Sequence, residues 1–222
     1  MKKIISLLMI AAILLIAGIA PNLFVIAQAG MASFHFLILD ILLPSVVVLL
    51  IILAAGRFLG DKVIVSLTVN GILAGLIATI GLELFRETGF RLGTMPGDLP
   101  RLMGVVMLDQ FASGPDVWSD LAGWAYHFWN GAAFGIIFSL VMGKPTVWHG
   151  AVYGFLIGLG FMVTPVVKSL GIGLFGLEFK NGYQFAVTVS IAHIAFGLLL
   201  AALLSRWNKN YPSLINFIKA LL

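Results

Sequence analysis

The sequence contains no cysteine. That absence excludes disulfides, thiolate metal sites and cysteine nucleophiles together, and leaves the redox compartment open. Charge is the second scarcity: Asp, Glu, Lys and Arg are 10% of the 222 residues, while 61% are hydrophobic. A soluble domain carries roughly 25% charged residues, so this chain, with a mean hydropathy of +1.10, reads as an all-α integral membrane protein. Chemical motifs are missing as well. There is no Ser-His-Asp order, no HExxH zinc motif and no pair of carboxylates spaced for acid–base work. The phrase "KSLGIGLFG" lacks the order of glycines, lysine and hydroxyl that a phosphate loop requires. No catalytic residue and no metal ligand set is assigned, and these patterns call for no cofactor. The formal charge of +4 and pI near 9.5 would suggest nucleic acid in a soluble protein. In a membrane protein basic residues set orientation instead, so no nucleic-acid partner is expected.

What is present is a series of long apolar runs. A crossing takes about 20 mostly apolar residues, which gives the chain room for five or six crossings and for no separate soluble domain. The runs fall at about 4–20, 37–56, 63–85, 124–143, 148–168 and 183–205, and glycine, proline and charge cluster between them in "GRFLGDK", "RETGF", "GKPTVWHG" and "SRWNKN". The expectation is a bundle of six transmembrane helices. The first run follows Lys2 and Lys3, stops before Pro21 and precedes Ala27-Gln28-Ala29, a small-residue pattern like that of a signal-peptidase site. It is either a cleaved signal or a retained helix, and its length favours the helix. With the N-terminus in the cytoplasm, Lys2, Lys3, Arg57, Lys62, Lys144, Arg206, Lys209 and Lys219 lie inside. Arg86, Arg91, Arg101, Lys168 and Lys180 lie outside. The positive-inside rule then places both termini in the cytoplasm, in a cell membrane of the prokaryotic inner-membrane kind.

Two segments are too short to cross. Residues 98–111, "DLPRLMGVVMLDQF", predict an amphipathic external element with Asp98 as N-cap and Pro100 in the first turn. The tail 212–222 places Leu214, Phe217, Ile218 and Leu221 on one face, which predicts a helix lying on the cytoplasmic interface. Pro165, after Thr164, weakens the outer end of the fifth helix.

Lipid tails are as apolar as leucine, so helices in a bilayer associate by close packing and interhelical hydrogen bonds. Small residues at four-residue spacing mark three candidate packing faces: Gly71 and Gly75, then Thr79; Gly131 and Gly135; and Gly150, Gly154 and Gly158. Such faces serve packing within the chain, a membrane-protein partner or a homo-oligomer. Polar groups inside the runs are functional candidates by default. His127 in "HFWNG" and His193 in "HIAFG" are each followed one turn later by a glycine that opens a groove beside the imidazole. Facing each other, two neutral histidines could hold haem iron or another transition metal. The plainer reading is a hydrogen bond to a neighbouring helix, worth about 0.6–2 kcal/mol. Asn70 and Asn130 suit the same interhelical role. Asp40, Glu83, His127 and Lys168 share the outer halves of four helices and would line an outward-facing polar pocket for a substrate or ion, with Asp40 and Lys168 as the expected ion pair. Their alternative is snorkelling to the headgroups. Trp124 and Tyr126 fit the outer aromatic belt.

In order, "PRLMG", "HFWNGAAFG", "GAVYGFLIGLGF" and "HIAFG", within residues 101–197, resemble small multi-pass bacterial membrane proteins of unknown function, the YagU-like proteins. The resemblance implies a bundle of about four core spans, 63–85 and the last three, with two extra N-terminal helices. It implies no catalytic residue. The leading expectation is a non-enzymatic accessory subunit or scaffold packing through its glycine faces. A small transporter or channel using the polar pocket comes second, and a haem- or metal-binding electron-transfer subunit using His127 and His193 third.

Overall fold

The computed structural model describes residues 2–219, and every regular element in them is helical. In chain order they are α1 (Lys2–Gln28), α2 (Phe34–Phe58), α3 (Lys62–Arg91), α4 (Leu99–Met107), α5 (Val117–Met142), α6 (Val147–Met162), α7 (Pro165–Ser169), a short 3-10 turn (Leu174–Gly176), α8 (Gly182–Trp207) and α9 (Leu214–Lys219). Among the described residues five helices are long and apolar enough to cross a membrane: α1, α2, α3, α5 and α8. The expected fifth crossing at 148–168 is instead the shorter α6 of 16 residues. At about 1.5 Å per residue it falls short of the roughly 30 Å hydrocarbon layer. It stops because Pro165 cannot donate to the ladder, and the chain turns through Thr164, whose hydroxyl bonds Phe161 O at 2.7 Å, before α7 begins.

Other boundaries move for identifiable reasons. Helix α1 passes through Pro21 and continues to Gln28, beyond the expected stop at residue 20. The Asn22 amide donates to Gly18 O at 2.7 Å beside the proline and so occupies a carbonyl of the disturbed turn. Helix α2 starts at Phe34, where Ser33 accepts from Phe36 N–H, and contains a π-helical turn over Leu37–Leu42 just before Pro44. A wide turn there relieves the clash a proline ring makes with the preceding turn. Helix α5 starts seven residues before the expected position, at a reciprocal capping box in which Asp116 accepts from Ser119 N–H and Ser119 Oγ accepts from Asp116 N–H. The bond from the Ser119 backbone N–H holds the Asp116 carboxyl below its ordinary pKa. Helix α4 ends at Met107 rather than 111; Asp98 occupies its N-cap position but makes no capping bond. In α9, Leu214 and Phe217 pack against the bundle while Ile218 is exposed, and Leu221 lies outside the described residues.

The helices alternate in direction, and α3 is the central one. It runs antiparallel to α5, with Gly71 against Gly135 and Gly75 against Gly131, and antiparallel to α8, with Gly81 against Leu199 and Gly89 against Thr188. A Cβ on Gly71 would lie 2.7 Å from Gly135 O and 2.7 Å from Ile136 Cα, so the two backbones are in contact. Helix α6 lies against α8 in the same way: Gly150 and Gly197 meet, and Gly154 meets the backbone of His193. Tyr153 of α6 reaches α5, donating to Phe134 O at 2.9 Å and stacking on Phe138. Helix α1 flanks α5, and α2 packs outside α1; α2 is the least buried of the five long helices and so the peripheral one.

Both ends of the bundle are polar knots. At the end that carries the termini, Asn208 is 0% exposed. It donates to Ser139 Oγ at 3.0 Å and Gly143 O at 2.9 Å, and accepts from Asn70 at 2.8 Å, while Ser139 donates to Leu67 O. Helices α3, α5 and α8 are thus joined by one satisfied network. Gly143 closes α5 at φ 59°, where the carbonyl of Pro212 leaves no space for a side chain. At the opposite end, which carries the loops around α4 and α7, the second knot is built on charge.

Candidate functional site

The site begins with two residues one turn apart on α3. Spacing of three puts Glu83 and Arg86 on the same face, toward α5. Arg86 Nε donates to both Glu83 oxygens at 2.8 Å, and Nη2 lies 2.6 Å from Oε2. His127, ten residues into α5, places Nε2 2.8 Å from Glu83 Oε1. A carboxylate only accepts, so Nε2 carries a proton and donates it. Arg86 also lies 3.3 Å from Asp98 Oδ1, which fastens the start of α4 onto α3, and 5.7 Å above the Trp124 ring. The guanidinium is buried, at 5% exposure, and its Nη1 has no hydrogen-bond partner.

Beside this cluster is a cavity of about 420 Å³. Its wall is mainly apolar and aromatic, with Phe134 from α5, Ile157 and Phe161 from α6, and Phe196 from α8. Met103 of α4 covers it from the loop end. Asn22 of α1 and Gly160 of α6 are both on its wall and exposed, so it opens between α1 and α6 on the side surface of the bundle. Polar groups converge on it from three helices. Arg86 reaches it from α3, His127 and Asn130 from α5, and His193 from α8. His193 donates through Nδ1 to Val189 O at 2.8 Å and stacks on Phe161, which leaves Nε2 as its free acceptor. Asn130 Oδ1 is buried without a partner. Next to it, the Tyr126 hydroxyl donates to Ala20 O at 2.6 Å and accepts from Phe24 N–H at 3.1 Å. Tyr126 is therefore buried against α1 rather than placed in an aromatic belt.

The residues expected at a site are thus divided. Glu83, His127, Asn130 and His193 come together, although Glu83 stands behind Arg86 and His127 rather than on the cavity wall. Asn70 belongs to the knot at the other end, bonded to Asn208. Asp40 and Lys168 are both exposed, neither lines the cavity, and no ion pair joins them among the described residues. Gly71, Gly75, Gly131, Gly135, Gly150 and Gly154 abut backbone of this same chain, and Gly158 abuts the His193 side chain. Among the described residues no group of three or more His, Cys, Asp or Glu side chains could hold a metal ion.

Sequence reasoning missed Arg86, which looks like loop charge next to a glycine, and gave Asp98 only the role of an N-cap. The available signal was Glu-x-x-Arg at one-turn spacing, which signifies an ion pair on one helix face. No family model, curated protein or solved structure matches this chain.

Proposed function

We propose that this multi-pass helical membrane protein is a non-enzymatic binding protein or carrier that draws a small amphiphile from the surrounding leaflet into the cavity between α1, α5, α6 and α8. One observation carries the reading: an apolar cavity that opens sideways between α1 and α6 ends at polar groups from three helices, including the buried Arg86, whose Nη1 has no hydrogen-bond partner. Its volume of about 420 Å³ is in the range of small-molecule sites, roughly 300–1,000 Å³. A side opening suits a ligand dissolved in lipid, and buried donors and acceptors suit one polar end. The glycine lanes are filled by the chain's own helices, which favours this reading over a scaffold that recruits partners through them. In the same proposal α6 with α7 is the sixth crossing, both termini are cytoplasmic by the basic-residue bias, and the cavity lies in the outer leaflet of a prokaryotic inner membrane. The likeness of residues 101–197 to YagU-like proteins belongs to it too: the phrases that carry that likeness supply α4, α5, α6 and α8, four of the cavity's walls.

The test is native mass spectrometry of the purified protein released from micelles, after incubation with twelve-carbon amphiphiles. Retention of at least one probe at a single site, and its loss in Ala192→Phe, which fills the cavity from α8, is the expected result. Equal retention by the variant would refute the assignment.

A further inference from the structure

We infer that the headgroup held in this cavity is uncharged and rich in hydroxyls, as in a monoacylglycerol-like lipid, rather than a fatty acid or a long-chain amine. The inference rests on the cavity being a ligand site, and adds which chemistry it selects. Arg86 is the cation on the wall, but it is already matched. Glu83 takes it at 2.8 Å through both oxygens, Asp98 lies at 3.3 Å and Glu87 at 3.9 Å. With Glu83, Asp98 and Glu87 around it Arg86 has little uncompensated charge to offer, and a carboxylate head, which only accepts, brings no proton to the acceptors on the wall. A cationic head fares no better. Of those carboxylates none is on the cavity wall, whereas Arg86 is, so an ammonium would meet the guanidinium first.

The wall suits a neutral head with more donors than acceptors. His193 Nε2 and Asn130 Oδ1 are two acceptors without a protein donor among the described residues, and Arg86 Nη1 is a donor without an acceptor. Adjacent hydroxyls answer this set, because each donates once and accepts as well. A hydroxyl that gives its proton to an imidazole nitrogen can accept from Nη1 in turn. An alkyl chain then follows Phe134, Ile157 and Phe161 toward the rim at Asn22 and Gly160. The imidazoles arrive from two helices whose separation is fixed elsewhere, α5 by its glycine contact with α3 and α8 by its contact with α6.

The experiment compares three probes of equal chain length at neutral pH: 1-monolauroylglycerol, laurate and dodecylamine, each titrated by native mass spectrometry against the intact chain. The expected result is retention of monolauroylglycerol about tenfold tighter than either charged probe. His193→Phe keeps a flat ring but removes the acceptor, and should abolish most of that preference; Asn130→Leu provides a second variant if the first does not fold. Tighter retention of laurate or dodecylamine overturns the inference while leaving the cavity a binding site. No retention of any probe overturns both. A preference that survives in both variants also overturns it, because the headgroup would then be read elsewhere.

Discussion

Replacing Asn208 by alanine tests whether the satisfied network at the terminal end holds the bundle together. The side chain is completely buried and makes three hydrogen bonds, to Asn70, Ser139 and Gly143. Interhelical hydrogen bonds in membrane proteins average about 0.6 kcal/mol and reach about 1.7. Three of them put the loss at about 2–5 kcal/mol, a large share of a stability that is about 5–15 kcal/mol for a typical domain. The measurement is reversible unfolding in mixed micelles on titration with a denaturing detergent, followed by tryptophan fluorescence. Asn70→Ala removes only one of the three bonds, so its cost should be about 0.6–1.7 kcal/mol. In the double variant that bond is lost once rather than twice, and the combined cost should fall below the sum of the two. A change under about 0.5 kcal/mol for Asn208→Ala, or strict additivity with Asn70→Ala, would show that the contacts do not carry the stability assigned to them.

Three further predictions follow from other regions. Gly71→Ala places a methyl against the backbone of residues 135 and 136 and should cost about 1–3 kcal/mol, whereas Gly18→Ala, with no atom within 4 Å of the new methyl, should be neutral or stabilising in the same unfolding assay. Arg86→Met leaves the buried Glu83 carboxylate with His127 as its remaining side-chain donor and should destabilise by about 3–5 kcal/mol, much of it recovered by adding Glu83→Leu; no recovery would sink the claim that the two charges are needed by each other. The lowered pKa of Asp116 means that its cap is complete above the ordinary carboxylate range and is lost as pH falls through the lowered value. Hydrogen-exchange protection of the Ser119 amide should drop there, and Asp116→Asn should show no such pH dependence.

The apolar runs made most of the bundle legible because hydropathy reports depth in a bilayer directly. Depth, however, is all it reports. Asp40, Glu83, His127 and Lys168 were grouped because they share a depth, but only the direction around each helix decides which side chains meet. That direction turned Glu83 and His127 toward each other and left Asp40 and Lys168 exposed. Helix ends were misread where polar residues continue a helix past its apolar stretch. Arg86 was assigned to a loop for its charge although α3 runs to Arg91, and Asn208 sat unnoticed in "SRWNKN" although it is fully buried. The start of α5 had a readable signal in Asp116-x-x-Ser119, but Trp118, Asp120 and Gly123 made the first turns too polar to register as a crossing.

The hydroxyl of Tyr126 has a consequence for the order of assembly. It bonds Ala20 O and Phe24 N–H, the two groups an uninterrupted helix would pair with each other, in the turn that also contains Pro21. When α1 enters the membrane during synthesis, residue 126 has not yet been made, so that turn lacks the partner it has in the finished protein. Once α5 is in place, loss of α1 would remove the carbonyl and the amide that pair with Tyr126, together with the α1 wall of the cavity. The first helix is thereby tied to a residue more than a hundred positions later in the chain.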